Sequence, residues 1–561
     1  MIGQTNSQIA ITRLGIVLNT NQTTHDDLLG ATITVTYNYT TQTYIWEGTE
    51  ITAYIPPKTE YKVEVSSING YATPPAFKMT LDEQHYRVVT MTYTTEILTI
   101  NVSSDIDMPS EYTITVSDIG SQTTPSAIYK IPFGKEYTIS ASYAEGYRVI
   151  EDQTFVASQV NRTVNLAYNE YSVIVPTISD AIDLSKQNIF GETISTSTAN
   201  CYVINTSGTY AFPLVYGNAI KDGASNRSGF STVDSGQSYT LAPFVNHLDN
   251  QILYPFIEDH EGCIASSVEL TMSDVNGVLS DIEIVQGGAC RYVKFVVNSI
   301  PDTGGNCVIS ILDGNGSAIW SWHIWLWTED LTPITITNAT GVNYNILPVN
   351  LASKRDSTGY LINWYYEEFR HVPMLSAFSH NSYWNVDANN YGVKTFTILK
   401  RTADTYGEAI SNPHTYYAYG SSPFFKYGSY RLFNLWDAGC KNSGTSDNNV
   451  IKTIYDPCPV GFKMPSGNTF TGFTEDAIIG EFDYGYRFKR NAEDTIGVLF
   501  PATNTRRSDT GNISGSKMGL DSYVWLSSFG YKFGYSTETN KVYPSSSGSG
   551  CIGCSVRPIQ E

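Results

Sequence analysis

The first third of the sequence repeats itself, and this repetition constrains the fold more strongly than any other feature. The segment Tyr54-Ile-Pro-Pro-Lys-Thr-Glu-Tyr61 recurs as Lys130-Ile-Pro-Phe-Gly-Lys-Glu-Tyr137, and Arg87-Val-Val-Thr-Met-Thr-Tyr93 recurs as Arg162-Thr-Val-Asn-Leu-Ala-Tyr168. Both pairs keep the same order and nearly the same spacing, which is the pattern of a duplicated structural module.

Within each copy, apolar and polar residues alternate, as in Ile33-Thr-Val-Thr-Tyr37 and Tyr61-Lys-Val-Glu-Val65. A period of two is typical of a half-buried β-strand, because successive side chains point to opposite faces of a sheet. Turn residues such as Asn69-Gly70 separate the runs. The pattern predicts two small β-sandwich repeats, at residues 28–95 and 96–169, after an N-terminal segment at residues 1–27.

The remaining chain divides near residue 333. Residues 170–332 predict an Ig-like β-sandwich ending in a hairpin, whose turn Asp313-Gly-Asn-Gly316 supplies residues that tolerate a positive φ angle. A calcium loop is the alternative for this turn, but the further ligands of such a loop are missing. Residues 333–561 have shorter strands and longer loops, which predicts an α+β domain with short helices near Tyr365–Phe369 and after Pro465-Ser466.

Charge and motif content favour a binding protein. The 561 residues include 34 basic and 54 acidic side chains, so the net charge is −20. Phosphate contacts need basic patches, and the sequence has none, so no nucleic-acid partner is expected. The sequence lacks a nucleophile elbow, a phosphate-binding loop, a zinc-protease motif and a dinucleotide fingerprint, so we expect no enzymatic activity and no cofactor.

The cysteines do not form a recognisable metal pattern. Of the eight, Cys551 and Cys554 make the one Cys-x-x-Cys pair, and no Cys/His zinc spacing accompanies them. We expect mostly reduced thiols and no metal site, with zinc at this pair as the alternative.

The most informative segment lies near the C-terminus. Five aromatic residues occur within Phe529–Tyr543, separated by Gly and Ser. Antibody loops use the same combination, in which rigid amphipathic rings are set between small adaptable neighbours. An aromatic core with Gly/Ser turns is the alternative, but five rings exceed what one strand could bury on one face. The segment is therefore predicted to be a binding surface.

Several separated motifs resemble one known family. Tyr455-Asp-Pro-Cys-Pro-Val-Gly-Phe-Lys-Met-Pro-Ser466 resembles the signature of the major paralogous (FISUMP) domain, and Trp525-Leu-Ser-Ser528 and Ser555-Val-Arg-Pro558 resemble its closing motifs. Upstream, Ala199-Asn-Cys-Tyr-Val-Ile-Asn205 and Trp320-Ser-Trp-His-Ile-Trp325 resemble the β-sandwich that precedes this domain in surface and fimbrial-tip proteins. The resemblance implies a C-terminal C-type-lectin-like domain.

A narrower resemblance concerns the last residues. Val542-Tyr-Pro-Ser545 and Gly553–Ile559 resemble the end of proteins that retroelements diversify, among them phage tropism determinants. In those proteins, mutated Asn codons produce Tyr, Phe, Ser, Gly or Cys, but not Trp or Lys. Ser545–Cys551 contains only permitted types, whereas Trp525 and Arg557 are implied to be framework. The implied receptor contacts are Tyr523, Phe529, Tyr531, Phe533, Tyr535, Ser546, Ser547, Gly548, Ser549 and Gly550.

Together these resemblances imply a phage tail receptor-binding protein in the virion, mainly β, with tandem sandwich modules before a lectin-like tip. The expected partners are a host cell-surface receptor, protein or glycan, and other tail proteins through the N-terminal segment. A homotrimer is expected, because avidity multiplies weak single-site contacts. One alternative is a fimbrial-tip adhesin of a gut anaerobe. An enzyme of the formylglycine-generating fold is another, with Cys551 and Cys554 as its candidate reactive residues.

Overall fold

The alternating pattern of the sequence becomes a chain of β-sheets in the computed structural model. The structure describes residues 12–81, 86–230, 241, 244–376, 390–419, 432–441, 444–482, 484–514, 519–548 and 552–561. The chain divides into Met1–Ser172 (unit 1) and Val173–Glu561 (unit 2). None of the helices in the described ranges is long and apolar enough to cross a bilayer.

The first repeat is a sandwich of two sheets. Its strands are β1 (Thr12–Thr20), β2 (Thr32–Tyr37), β3 (Thr40–Ile45), β4 (Ile51–Ile55), β5 (Glu60–Val65), β6 (Phe77–Thr80) and β7 (Tyr86–Tyr93). The sheets have the orders β4-β1-β7 and β3-β2-β5-β6. The inward residues of the alternating runs, among them Ile33 and Val63, are fully buried between the sheets.

The second repeat has the same arrangement. Its strands are β8 (Thr95–Ser104), β9 (Ile114–Val116), β10 (Gly120–Gln122), β11 (Ser126–Pro132), β12 (Glu136–Ala141), β13 (Gln153–Val156) and β14 (Asn161–Tyr168). The sheets have the orders β11-β8-β14 and β10-β9-β12-β13. Each strand has its counterpart in the first repeat, which is the outcome that duplication requires.

The boundary of the first repeat differs from the prediction. Residues 12–20, placed by the sequence in an attachment segment at 1–27, form β1 in the centre of a sheet, between β4 and β7. Likewise, residue 95 begins β8 rather than ending the first repeat. The repeated motifs begin with the fourth strand of each module, so motif spacing alone could not locate its first strand. Residues 1–11 lie outside the described residues.

The third sandwich begins unit 2. Its strands are β15 (Ile182–Asp183), β16 (Cys201–Ile204), β17 (Gly208–Pro213), β18 (Ile220–Lys221), β19 (Ala224–Ser225), β20 (Ser267–Ser273), β21 (Leu279–Gly287), β22 (Cys290–Val297), β23 (Gly305–Leu312) and β24 (Ala318–Leu326). The two four-stranded sheets have the orders β15-β17-β22-β21 and β16-β24-β23-β20. A short helix, α1, spans Arg227–Phe230.

The Asp313 turn closes the β23–β24 hairpin. The Asp313 carboxylate accepts hydrogen bonds from the backbone N–H groups of Asn315 and Ser317, both at 2.8 Å. One carboxylate oxygen is thus used within the turn, as the hairpin interpretation requires.

The C-terminal segment is loop-rich. Its strands are β25 (Ile334–Thr337), β26 (Asn343–Ile346), β27 (Ser353–Arg355), β28 (Leu361–Asn363), β29 (Tyr366–Glu367), β30 (Thr397–Leu399), β31 (Thr415–Tyr417), β32 (Phe462–Lys463), β33 (Ile478–Phe482), β34 (Gly485–Phe488), β35 (Val498–Pro501), β36 (Asp521–Trp525), β37 (Tyr531–Ser536), β38 (Lys541–Ser547), β39 (Gly553–Cys554) and β40 (Ile559–Gln560). Helix α2 spans Tyr406–Ser411, and single 3-10 turns occupy Asp26–Leu28, Leu184–Lys186, Ile257–Asp259 and Glu475–Ala477.

The helices expected near Tyr365–Phe369 and after Ser466 are not formed. The first segment contains β29, whose pairing with β39 draws it into an extended conformation, and the second forms turns. A distant pairing partner therefore outweighs local preference.

The motifs that resemble those of the FISUMP family meet where the third sandwich joins the C-terminal segment. The Asn200 side-chain amide donates to the carbonyl oxygens of Ile454 and Asp456, at 2.6 and 2.9 Å. The Trp320 indole donates to the Asn200 side-chain oxygen at 3.0 Å. Because Asn200 and Trp320 are fully buried, these bonds fix the two parts of unit 2 as one body.

Candidate functional site

The C-terminal sheet β36-β37-β38 buries one face in the core and leaves Tyr543 accessible on the other, where Trp525, Lys532 and Ser536 are buried. Its inner face supplies Val524, Phe533, Tyr535 and Val542 to the aromatic core of the segment. The Phe533 ring lies 5.2 Å from both the Phe470 and Phe500 rings, measured between centroids. This packing fixes the register of the sheet.

The burial of Phe533 and Tyr535 corrects the prediction that they contact a receptor. Both side chains have 0% exposure. The sequence interpretation treated residues 529–535 as a loop, but residues 531–536 form β37, and residues two apart share a face. Residues 533 and 535 therefore lie together on the core side.

The outer face carries a row of neighbours across the three strands. Gly534 pairs with Tyr523 on one side and with Tyr543 on the other. A Cβ atom at Gly534 would lie 2.3 Å from the Tyr523 ring, so glycine is what allows that ring to cross β37. Tyr523 is half-buried, and burial raises the pKa of its hydroxyl to about 12.

Tyr543 is an accessible aromatic that the sequence interpretation did not select. It is 39% exposed, while its neighbour Val542 is buried. The alternation of side chains between the two faces of β38 is the sequence pattern that could have identified Tyr543. Beside this row, the Lys532 ammonium lies 5.7 Å from the ring centroids of both Tyr523 and Trp525.

The other predicted contacts differ in accessibility. Phe529 is half-buried, with its ring 5.8 Å from Phe369 in a stacked arrangement. Tyr531 packs partly against the core. Ser546 is half-buried, and Ser547 and Gly548 are exposed. Ser549 and Gly550 lie outside the described residues.

Trp525 is fully buried although it lies on the same face of β36 as Tyr523. Its indole N–H donates to the Tyr366 carbonyl oxygen at 2.8 Å, and its ring lies 6.4 Å from Trp436. A hydrogen bond and ring packing therefore both hold the Trp525 side chain in place.

Arg557 is also fully buried. Its guanidinium donates to the side-chain oxygen of Asn350 at 2.8 Å and to the carbonyl oxygens of Leu347 and Leu499 at 3.0 and 3.1 Å. It lies 4.1 Å from the Phe500 ring centroid, and burial lowers its pKa to about 9. Arg557 thereby links segments that are far apart in the sequence.

A polar cleft of about 530 Å³ lies beyond the end of β36. Its lining residues are Asp437, Gly439, Cys440, Lys441, Gly444, Thr445, Ser446, Asn448, Asn449, Ser466, Gly467, Ser527 and Ser528. Ser466, Ser527 and Ser528 belong to motifs that the sequence singled out. Their convergence with residues 437–449 leaves no local pattern, because these loops are far apart in the chain.

The structure also bears on the cysteine pair. Cys554 is buried, and burial raises the pKa of its thiol to about 12, whereas Cys551 lies outside the described residues. The seven cysteines in the described ranges are free thiols. Over those ranges, no three His, Cys, Asp or Glu side chains lie close enough together to hold a metal ion.

Comparison with known proteins identifies no family. No protein-family model and no curated protein matches the chain. Among solved structures, it is similar to the Bacillus anthracis TIE protein, at 11% identity and a TM-score of 0.18 over 56% of this chain and 50% of that one. It is also similar to the shaft pilin SpaA of Lactobacillus rhamnosus GG, at 13% identity and a TM-score of 0.18 over 29% and 99% of the two chains.

A third similar structure is GBS52, the minor pilin of Streptococcus agalactiae, at 10% identity and a TM-score of 0.18 over 30% of this chain and 99% of that one. The present chain spans half the length of the TIE protein chain that it matches. At these TM-scores the similarities assign no function.

Proposed function

We propose that the chain is an attachment protein that binds a receptor on a cell surface through the outer face of its C-terminal sheet. The observation that carries this proposal is the contrast across the sheet. Tyr543 is accessible on β38, whose inner residue Val542 is fixed in the aromatic core, and half-buried Tyr523 lies on the same face. A rigid scaffold presenting tyrosines among small residues suits recognition, since little side-chain entropy is lost on binding.

We further propose that residues 333–561 form a C-type-lectin-like domain of the FISUMP type, with residues 545–551 as its variable loop. The motif placement supports this proposal. Trp525 and Arg557, from the two closing motifs, are buried hydrogen-bonded residues, whereas Ser547 and Gly548 lie on the surface. Residues that support a fold and residues free to vary are thus segregated.

Two biological settings suit such a protein, and different motifs support each. The closing segment, with its resemblance to retroelement-diversified proteins, supports a phage tail fibre in the virion. The third sandwich, with its resemblance to surface proteins, supports a pilus-tip adhesin on a bacterial surface. Immunogold labelling with an antibody against unit 2 would mark virion tails in the first setting and cell-surface pili in the second.

In either setting we propose a homotrimer that gains affinity through avidity.

A catalytic role is the less supported alternative. Thiolates, not thiols, act as nucleophiles. With its pKa raised to about 12 by burial, the Cys554 thiol stays protonated near neutral pH. We therefore propose binding, without a reaction, as the activity of this domain.

The proposal is tested by replacing the outer-face tyrosines. We expect the double variant Tyr523→Ala/Tyr543→Ala to reduce binding of the full chain to receptor-bearing cells by at least about thirtyfold, as expected for a hot spot worth about 2 kcal/mol. Tyr391→Ala is the matched control, because Tyr391 is 46% exposed and lies outside the sheet. Unchanged cell binding by the double variant would show that the receptor binds elsewhere.

A further inference from the structure

The polar cleft near the end of β36 contains serine hydroxyls without protein partners. Ser527 is 2% exposed and Ser528 is 6% exposed. Within the described chain, neither side-chain hydroxyl makes a hydrogen bond, yet both residues line the cleft. Neither hydroxyl oxygen is among the fully buried unpaired atoms, so both remain accessible from the cleft and are free to hydrogen-bond a ligand there.

The cleft is preorganised by hydrogen bonds made by residues outside its lining. The Asp447 carboxylate accepts from the Asn338 amide at 2.7 Å and from the Tyr344 hydroxyl at 2.9 Å. These bonds anchor the segment Thr445–Asn449 at its centre. A second anchor is the Lys463 ammonium, which donates to the Asn449 side-chain oxygen and to the Val450 carbonyl oxygen.

The remaining segments are held against this one. A Cβ atom at Gly467 would lie 2.6 Å from the Thr445 Cα, so glycine permits their close approach. The Ser527 N–H donates to the Pro465 carbonyl oxygen at 2.8 Å. A ligand would therefore meet walls that are already in place, which lowers the entropic cost of binding.

The lining chemistry restricts the class of ligand. The described lining residues include no aromatic ring and no large aliphatic side chain, so the cleft offers no stacking surface for a base and no apolar contact for a lipid. Its charged groups are one carboxylate, on Asp437, and one ammonium, on exposed Lys441. This near balance disfavours polyanions.

Hydroxyl and amide groups supply the rest of the lining. Serine hydroxyls and asparagine amides can each both donate and accept hydrogen bonds. The Asn448 side chain makes no hydrogen bond within the described residues and is exposed to the cleft. A ligand rich in hydroxyl groups, which also donate and accept, matches this lining better than one carrying a single kind of polar group.

We propose that this cleft binds a neutral sugar residue without a metal ion. Its volume of about 530 Å³ lies within the range of about 300–1,000 Å³ found for small-molecule sites. Calcium needs six to eight oxygen ligands, and Asp437 is the single carboxylate among the described lining residues. The Asp437 carboxylate also accepts from the N–H groups of Gly439 and Ile451.

The proposed sugar site is separate from the receptor-binding face. None of the predicted contacts that the structure describes lines the cleft. If both proposals hold, the sugar is a second determinant of attachment beside the face. Each can fail without the other.

The test is saturation-transfer NMR and calorimetry on the full chain, with and without EDTA. The probes are glucose, galactose, mannose, N-acetylglucosamine and their disaccharides, with N-acetylneuraminic acid, inorganic phosphate and glycine as charged comparators. We expect at least one neutral sugar to bind, to bind more tightly than every charged probe, and to be unaffected by EDTA.

The variant Ser527→Ala/Ser528→Ala should weaken the binding of that sugar by about tenfold, because two neutral hydrogen bonds are lost. It should leave the melting temperature close to that of the parent, since only two hydroxyl oxygens are removed. Asn448→Ala, which changes an exposed residue, is the second cleft variant and should also weaken binding. Ser547→Ala, at an exposed position that does not line the cleft, is the matched control and should bind the sugar normally.

Four outcomes would overturn the proposal. These are no neutral-sugar binding into the millimolar range, tighter binding of a charged probe, loss of binding in EDTA, and sugar binding that survives both cleft variants. Loss of cell attachment in the Tyr523→Ala/Tyr543→Ala variant with intact sugar binding would separate the two sites.

Discussion

At the residue scale, one position in β37 decides whether a side chain supports the fold or faces outward. Phe533 is fully buried in the aromatic core, whereas Gly534, its neighbour, lies beneath the Tyr523 ring on the outer face. The difference follows from the two-residue period of the strand. Recognition and stability are therefore carried by alternate residues of one segment.

This alternation predicts opposite effects for two alanine variants. We expect Phe533→Ala to lower the free energy of unfolding of unit 2 by about 3–5 kcal/mol, since it opens a cavity among packed rings. Tyr543→Ala, on the accessible face, should change it by no more than about 0.5 kcal/mol. Chemical denaturation of both variants checks the prediction, and equal destabilisation would contradict the assigned faces.

At the element scale, the two repeats of unit 1 are joined by a polar contact. Lys130 of the second repeat forms an ion pair with Asp27 of the first, and the Tyr71 hydroxyl donates to the same carboxylate at 2.8 Å. Buried Thr95 adds hydrogen bonds to the carbonyl oxygens of Gly70 and Ile131. These bonds form the joint between the first two repeats and hold them in a defined arrangement.

The joint explains why corresponding glycines should differ in importance. Gly70 and Gly146 occupy equivalent positions with φ of 80° and 84°. A Cβ at Gly70 would lie 2.9 Å from the Lys130 Cβ, whereas a Cβ at Gly146 would meet no described atom within 4 Å. Both alanine variants should lose about 1–2 kcal/mol through the left-handed backbone.

We expect Gly70→Ala to lose about 1–3 kcal/mol more, because the joint must also move. Calorimetry of the full chain, following the transition of unit 1, measures this difference. Equal losses in the two variants would show that the joint yields without cost.

At the scale of unit 2, the sandwich and the C-terminal segment act as one body around buried rings. His371 stacks on Trp320 with 4.2 Å between ring centroids. Neither nitrogen of His371 has a hydrogen-bond partner among the described residues. Burial holds the pKa of His371 well below its ordinary value of 6.5, and the nearby Arg370 charge lowers it further.

The environment of His371 predicts that unit 2 becomes less stable as the pH falls. Below about pH 6.5 the unfolded chain binds a proton at His371 that the folded chain does not. Protonation therefore favours the unfolded chain, and the free energy of unfolding decreases as the pH falls. The loss amounts to about 1.4 kcal/mol per pH unit. His371→Phe retains a ring on Trp320 and removes the titration, so its melting temperature should rise relative to the parent between pH 7 and pH 5.

The exposed residue His25 provides the control. His25→Phe should follow the parent at every pH. A His371→Phe variant whose difference from the parent is independent of pH would show that His371 does not contribute to acid unfolding.

The sequence alone determined the repeats and most of the strands of unit 1. Strand period and turn residues are local properties, so the alternation of Tyr61–Val65 already indicated which side chains face inward. The first strand of the module was not visible in the motif spacing, because its position depends on pairing with β7 and β4. The FISUMP-like motifs likewise marked Trp525 and Arg557 as special without indicating their contacts.

Only the tertiary structure decided which surface is available for binding. Phe533 and Tyr535 lie among Gly and Ser residues, as the accessible tyrosines do, so composition alone does not distinguish them. The pairing of β36, β37 and β38 places them in the core. The cleft formed by Thr445–Asn449, Ser466 and Ser527 was equally hidden, because it joins loops far apart in the sequence. Local patterns record the chemistry of each segment, whereas long-range packing determines which segments meet and which side chains remain accessible.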